Sequence, residues 1–265
     1  MRPGWNPTRR NRNVGTKAHG HGEDNRLVIP ESRHDDKWFP ERLGTPVAIR
    51  RRVGEHEMRF LVEPPRPGWF YPCTVDDACR VLAALPAPDL ATFDMVVMRQ
   101  STRKQRALNP AWGLAIFSFD VFGHDGTAIV IEAQNLEPLA WEFSLTPERA
   151  RELDRLRGDG HDVRRGRRRF EIQVSPKSLR NTVLYRTLLH EVGHHVDRRR
   201  HSTTQWDAIP STQKEDFAHR HASSALGRLR SLGVVPFAPL FDIDDLQRCG
   251  LKPEWFKPRS STSTA

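Results

Sequence analysis

The chain has 265 residues, 37% of them hydrophobic, which suffices for one large domain or two small ones with a real core. Lys and Arg number 42 against 33 acids, a formal charge of +9 that attracts anionic partners but equally describes an ordinary basic surface. Cys73, Cys79 and Cys249 lack CxxC spacing, which argues against a disulfide framework or a cysteine zinc cluster; no apolar run nears the ~20 residues of a membrane span and no signal-peptide core opens the chain, so a soluble, cytoplasmic protein with no membrane partner is expected.

Residues 1–40 are rich in Arg, Asn, Gly, Pro and His without periodicity and read as a flexible basic tail, with Trp38 and Phe39 as anchors. A domain is expected over 41–257 and a second tail over 258–265. Within the domain, Val47–Arg51 and Met58–Glu63 read as short strands around Gly54. A helix is expected over Asp76–Leu85, starting near Val75, and a strand over Phe93–Arg99. Ala111–Val121 and Thr127–Ala133, rich in aromatic and β-branched residues, read as strands joined by a hairpin at Gly123-His124-Asp125-Gly126. Trp141–Leu145 adds a strand. Thr146-Pro147-Glu148 opens a helix ending near Gly158, with Thr as N-cap and Pro at the first position. Phe170–Val174 alternates as a strand after the basic run Arg164 to Arg169. The fold class expected is α+β with a mixed sheet.

The next helix, capped by Ser178 or Asn181, carries the chemistry: TVLYRTLLHEVGHHVDRRRH. Tyr185, Leu188, Leu189, Val192 and Val196 form an apolar stripe, and His190 and His194 lie roughly opposite, one turn apart. Two imidazoles so placed reach one metal, and neutral imidazole is a good zinc ligand. Glu191, turned about 100° from His190, flanks the metal and suits a base for its water. His195 is off this face and reads as a surface histidine. Asp197 lies three residues past His194, placed either to orient a ligand imidazole or to pair with Arg198–Arg200.

A catalytic zinc, one per chain, wants a third protein ligand. His201 stands seven residues past His194, roughly 10 Å along a helix and too far to share the ion. The segment STQKEDFAHRHASSALGRL, capped by Ser211 or Thr212, puts Glu215 on one face with Ala218, His219, Ala222, Leu226 and Leu229. An acid on that inward face is costly unless paired or metal-bound. Glu215 is the first candidate and His219 the second, with Asp216 turned aside. His201, His219 and His221 are candidate donors to a developing oxyanion.

The pair HEVGHHVD (190–197) and EDFAHRHA (215–222), separated by 21 residues from His194 to Glu215, resembles the gluzincin metallopeptidases, in the compact group of the anthrax lethal factor catalytic domain and the ImmA/IrrE peptidases. The likeness spans about 45 residues, from near Ser178 to Ala222. It implies a zincin-like domain, with a mixed sheet beside the HExxH helix and a ligand-bearing helix after it. It implies His190, His194 and Glu215 as zinc ligands, Glu191 as general base, and a protein or peptide substrate. This chain departs from the lethal-factor pattern at His219, where the group has a second acid, and in lacking a Tyr between His194 and Glu215. Thr127–Ala133 is the strand expected to hold an extended substrate by β-addition.

The rival reading is a nucleic-acid-binding protein with a structural or vestigial zinc site. Arg2, Arg9, Arg10, Arg12, Lys17 and Arg26, with Arg164, Arg165, Arg167, Arg168 and Arg169, would then make non-specific phosphate contacts.

Overall fold

The computed structural model describes residues 43–258 apart from 109 and 122. The expected basic tail, with its arginines and its anchors Trp38 and Phe39, lies outside the described residues, as do residues 259–265.

Five strands form the main sheet: β1 (Val47–Val53), β2 (His56–Val62), β3 (Met95–Arg99), β4 (Gly113–Val121) and β5 (His124–Glu132), in the order β1-β2-β3-β5-β4. The outer pairs, β1 with β2 and β4 with β5, are antiparallel hairpins, and β2-β3 and β3-β5 are parallel. The sheet is therefore mixed. All five residues of the central strand β3 are buried, as in a strand covered on both faces. The pleat sorts the side chains. Phe60, Val62, Val96, Met98, Ile129 and Ile131 join the principal core, while Leu61, Met95, Val97 and Val130 form a separate cluster on the opposite face.

Two sequence expectations fail in this sheet. Thr127–Ala133 cannot take a substrate strand, because β5 is enclosed between β3 and β4; the edge on that side is β4. The hairpin turn also sits earlier than the Asp-Gly pair. Val121 pairs with His124, so the reversal falls between them, with Gly123 at φ 72°, and Asp125 and Gly126 lie inside β5. A β-bulge in β4 between Ile116 and Phe119 interrupts the ladder beside Ala128.

The helices are α1 (Val75–Ala83), α2 (Ala87–Leu90), α3 (Arg103–Leu108), α4 (Pro147–Gly158), α5 (Pro176–Arg180), α6 (Leu188–Arg199), α7 (Thr203–Ala208), α8 (Ser211–Ser231) and α9 (Ile243–Arg248), with a π-helical segment, Asn181–Thr187, leading into α6. The short, polar α3, α7 and α9 gave no periodic signal. Caps explain most starts. Thr74 and Asp77 form a capping box on α1, and Thr146 caps α4 with Pro147 behind it. The helical run toward α6 begins earlier than expected: Ser175 is the cap, Pro176 fills the first position, and Ser178 closes the capping box from within. Neither Ser211 nor Thr212 caps α8; Pro210 occupies that place without a side-chain bond.

A second, antiparallel sheet, β6 (Leu139–Glu142), β8 (Arg169–Gln173) and β7 (Asp162–Arg165) in that order, packs Ile172 against Leu153 and Leu156 of α4. The charged β7 carries no apolar alternation that would mark it as a strand in the sequence.

The segment that feeds α6 is anchored by a buried ion pair. Arg180, at the end of α5, reaches Asp77 of α1, with Arg180 Nη2 2.9 Å from Oδ1. Asp77 also accepts the backbone N–H groups of Thr74 and Leu240, so one carboxylate ties three chain segments. Removing one member of such a pair strands the other charge in the core. Asp77→Ala is expected to lower stability by about 3–5 kcal/mol, measured by urea unfolding. A loss under about 1 kcal/mol would mean the pair is not the anchor described.

Candidate metal centre

The apolar stripe of α6 and the preceding π-helical segment, Tyr185, Leu188, Leu189, Val192 and Val196, is buried as expected. It seats α6 on the sheet and leaves the opposite edge toward a cleft of about 700 Å³. The cleft is walled by β4, by α8, and by Trp141 with Arg149 from the second sheet and α4. His190, Glu191, His194, Glu215 and His219 all line it.

In this cleft the donor atoms converge. His190 Nε2 and His194 Nε2 are 3.1 Å apart. Glu215 places one carboxylate oxygen 3.2 Å from His190 Nε2 and the other 3.5 Å from His194 Nε2. Hydrogen bonds from the two imidazoles hold the Glu215 carboxyl well below the usual carboxylate range. Burial pulls His194 down, but the Glu215 hydrogen bond and the charges of Glu191, Glu215 and Asp197 outweigh it and raise its pKa.

Glu215 is not buried in the way the helix wheel suggested. Its side chain is 55% exposed, because the face it occupies opens on the cleft at the start of α8. Further along that face Ala218, Ala222 and Leu229 are buried. Asp216 points elsewhere, toward Arg151 at 3.9 Å.

His219 also belongs to the group. Its ring lies 4.4 Å from that of His190, and His190, Glu215 and His219 bring donor atoms within 4.8 Å of one another. Two overlapping sets thus exist: His190, Glu215 and His219, and His190 and His194 bridged by the two oxygens of Glu215. Burial, then the neighbouring His190 and Arg155, push His219 down to about 3, so its ring is neutral at pH 7. His190 Nδ1 is buried without a hydrogen-bond partner, so this ring is held by packing on His194 and His219.

Glu191 is buried at the base of the cleft, and burial raises its pKa against the opposing pull of His190 and His194. It accepts a hydrogen bond from the backbone N–H of Ala115 on the edge strand. Gly113, two residues earlier, lets β4 approach this closely: a Cβ there would meet Thr187 Cγ2 and the Val130 carbonyl at 2.7 Å each, and Glu191 Cγ at 3.4 Å.

Other expected residues fall outside. Asp197 makes no hydrogen bond to His190 or His194; its carboxylate lies 3.7 Å from His201, which in turn bonds the Asp197 carbonyl. His201 and His221 do not line the cleft. His221 instead ties α8 to Asp89 at 3.1 Å. His195 is buried at 2% exposure, where its Nε2 lies 3.1 Å from the Ala128 carbonyl at the bulge. Burial pushes His195 down to about 4, so it is neutral and structural rather than a surface histidine. The bulge also aims Phe117 edge-on at the rings of His195 and Trp206. Arg164, Arg165, Arg167, Arg168 and Arg169 sit exposed on the β7-β8 hairpin, away from the cleft.

The residues missed in sequence are those that bring elements together: Gly113, the bulge at Phe117, and Gly193. A Cβ on Gly193 would stand 2.9 Å from Ala218 Cα and 3.1 Å from the Ala218 carbonyl. The glycine inside the HExxH motif is therefore where α8 crosses α6, one turn from both Glu215 and His190.

The chain matches no protein-family model, no curated protein and no solved structure. The site's chemistry rests on its own geometry.

Gly193→Ala is expected to push α8 outward, lowering stability by about 1–3 kcal/mol and weakening metal binding, because the methyl meets backbone. Gly227→Ala, also on α8 but with nothing within 4 Å, is the control. It should leave metal binding unchanged and gain up to about 1 kcal/mol. Thermal unfolding and chelator competition read both effects; equal behaviour of the two variants would contradict the crossing's role.

Proposed function

We propose that this chain is a zinc-dependent peptidase of gluzincin type, with His190, His194 and Glu215 as the ligands of one zinc ion and Glu191 as general base. The observation that carries the reading is the spacing of the donors. For zinc bonds of about 2.0–2.1 Å, atoms at tetrahedral corners stand about 3.3–3.4 Å apart; here the two imidazole nitrogens are 3.1 Å apart, and the Glu215 carboxylate sets one oxygen 3.2 Å from the first and its other oxygen 3.5 Å from the second. Two imidazoles and a carboxylate suit zinc and leave a fourth position for water or substrate. The mixed sheet with an active-site helix and a second ligand-bearing helix is the arrangement that a zincin-like domain requires.

When bound, zinc supplies Lewis-acid activation of a water and of the scissile carbonyl. The chain's residues do the rest. Glu191, with its raised pKa, is poised to accept a proton from water and to deliver it to the leaving amine. The Ala115 N–H fixes the carboxylate's direction. Edge strand β4 turns the peptide groups of Gly113 and Ala115 away from β5, since Trp112 and its even-numbered successors bond toward that strand; the Ala115 N–H is taken by Glu191, which leaves the Gly113 N–H and the two carbonyls for a substrate strand. A substrate strand laid along β4 would bring its carbonyl past Glu191. His219, neutral and in the same cleft, is placed to donate to a developing oxyanion.

His219 also supports a second reading. If its imidazole joins the other three donors, the coordination closes and the site is structural, as the nucleic-acid-binding alternative requires.

One set of variants separates the two. Glu191→Gln should retain about one zinc per chain and lose at least about two orders of magnitude in peptide hydrolysis. Glu215→Ala should reduce zinc affinity far more than Asp216→Ala, with His219→Ala between them. Metal analysis, chelator competition and a peptide-cleavage assay report these outcomes. Full hydrolysis by Glu191→Gln would remove it from the mechanism. An empty site in His219→Ala beside a full one in Glu215→Ala would replace the gluzincin set with three histidines.

A further inference from the structure

The active cleft does not end at the metal donors. A neighbouring hollow of about 410 Å³ shares Pro110, Ala111, Trp112 and Trp141 with it, so a continuous groove runs past β4. Three cations stand along this groove, each over the face of a tryptophan. Lys214 lies 4.4 Å from the Trp206 ring centre, Arg149 lies 5.3 Å from Trp141, and Arg106 lies 4.4 Å from Trp69. Lys214 and Trp206 line the main cleft, Arg149 and Trp141 line it from α4 and the second sheet, and Arg106 and Trp69 line the neighbouring hollow.

None of the three has an ion-pair partner among the described residues. Two arginines close by are paired instead, Arg155 and Arg186, both with Glu152. The carboxylates of the groove form no ion pair with the three, although Glu137 pulls electrostatically on Arg106. Glu152 is already bonded to two arginines, Glu191 and Glu215 belong to the metal centre, and only Glu137 stands free in the outer hollow. Stacking on an indole holds a long cationic side chain in place and reduces the ordering it must undergo on binding an anion.

We infer that the groove selects polypeptides carrying Asp or Glu side chains on both sides of the bond presented to the metal centre, with Lys214, Arg149 and Arg106 as the specificity-determining residues. This rests on the peptidase reading for the position of the bond, though not for the binding of the acidic chain. A peptide is favoured over single-stranded nucleic acid for a structural reason. Nucleic acid needs open aromatic faces on which bases stack, and here each of the three tryptophans carries a cation on one face. The edge of β4 offers peptide hydrogen bonds instead.

The test uses the full chain loaded with zinc and three peptide series that differ only in the flanking residues: Glu, Gln or Lys. Cleavage is read as kcat/KM, and binding is read separately by fluorescence anisotropy on zinc-loaded Glu191→Gln. The Glu series should exceed the Gln series by about tenfold in both readouts at low salt, with the Lys series weaker still. The margin should shrink as salt rises. Arg149→Gln with Lys214→Gln should remove most of the preference while zinc content stays at the wild-type level. Selective binding of the Glu series with no cleavage of any series would uphold the acidic groove and overturn the peptidase reading. Cleavage or binding indifferent to flanking charge, in protein of full zinc content, would overturn the groove inference and leave the peptidase standing. Displacement of the Glu peptide by a single-stranded oligonucleotide at lower concentration than by unlabelled Glu peptide would overturn it in favour of nucleic acid.

Discussion

Everything at this centre depends on how closely α8 crosses α6. The two helices meet where Gly193 faces the backbone of Ala218, at a separation that admits no side chain. That contact places Glu215, one turn before Ala218, against His190 and His194, which flank Gly193 on α6. Three side chains drawn from two helices meet at one point only where the backbones come near. A glycine packed on an alanine is the simplest way to achieve it. His221 reinforces the crossing through the Leu189 carbonyl of α6 and ties α8 to Asp89 of α2, and the buried stripe of α6 fixes the other side against the sheet.

The same economy of side chains appears on the strand side. Gly113 brings β4 against Thr187 and Glu191, so the Glu191 carboxylate is buried and accepts a hydrogen bond from the Ala115 N–H. The β-bulge two residues on leaves the Ala128 carbonyl for His195, which explains why the histidine next to His194 is neutral and internal. Adjacent histidines thus have opposite fates: His194 faces the cleft and has a raised pKa, whereas His195 is enclosed and has a depressed one. The folded chain divides the two roles by 100° of helix rotation.

Much of this was legible in the sequence. The 3.6-residue period of the apolar stripe located α6 and oriented both donor histidines, and the hydrophobic runs gave the strands of the main sheet. Thr146-Pro147 marked the start of α4 because cap and proline act locally. What was not legible depends on tertiary contact. The enclosure of β5 follows from strand order, which no local pattern encodes, and so the wrong strand had been offered to the substrate. His195 looked solvated on a helix wheel because the wheel does not show the bulged strand that covers it. Glu215 was chosen for its face, and that face does meet the histidines, but its exposure comes from an open cleft that the pattern could not reveal. Asp197 had the spacing to support His194 and turned instead to His201. Gly193 read only as the second variable position of a motif.

The most direct measurement is crystallographic: zinc-loaded protein, with data collected on both sides of the zinc absorption edge. A single strong anomalous peak is expected equidistant, at about 2.0–2.1 Å, from His190 Nε2, His194 Nε2 and a Glu215 oxygen, with His219 off the ion. An ion held by His219 in place of Glu215, or no peak between α6 and α8 in protein shown to bind zinc, would contradict it.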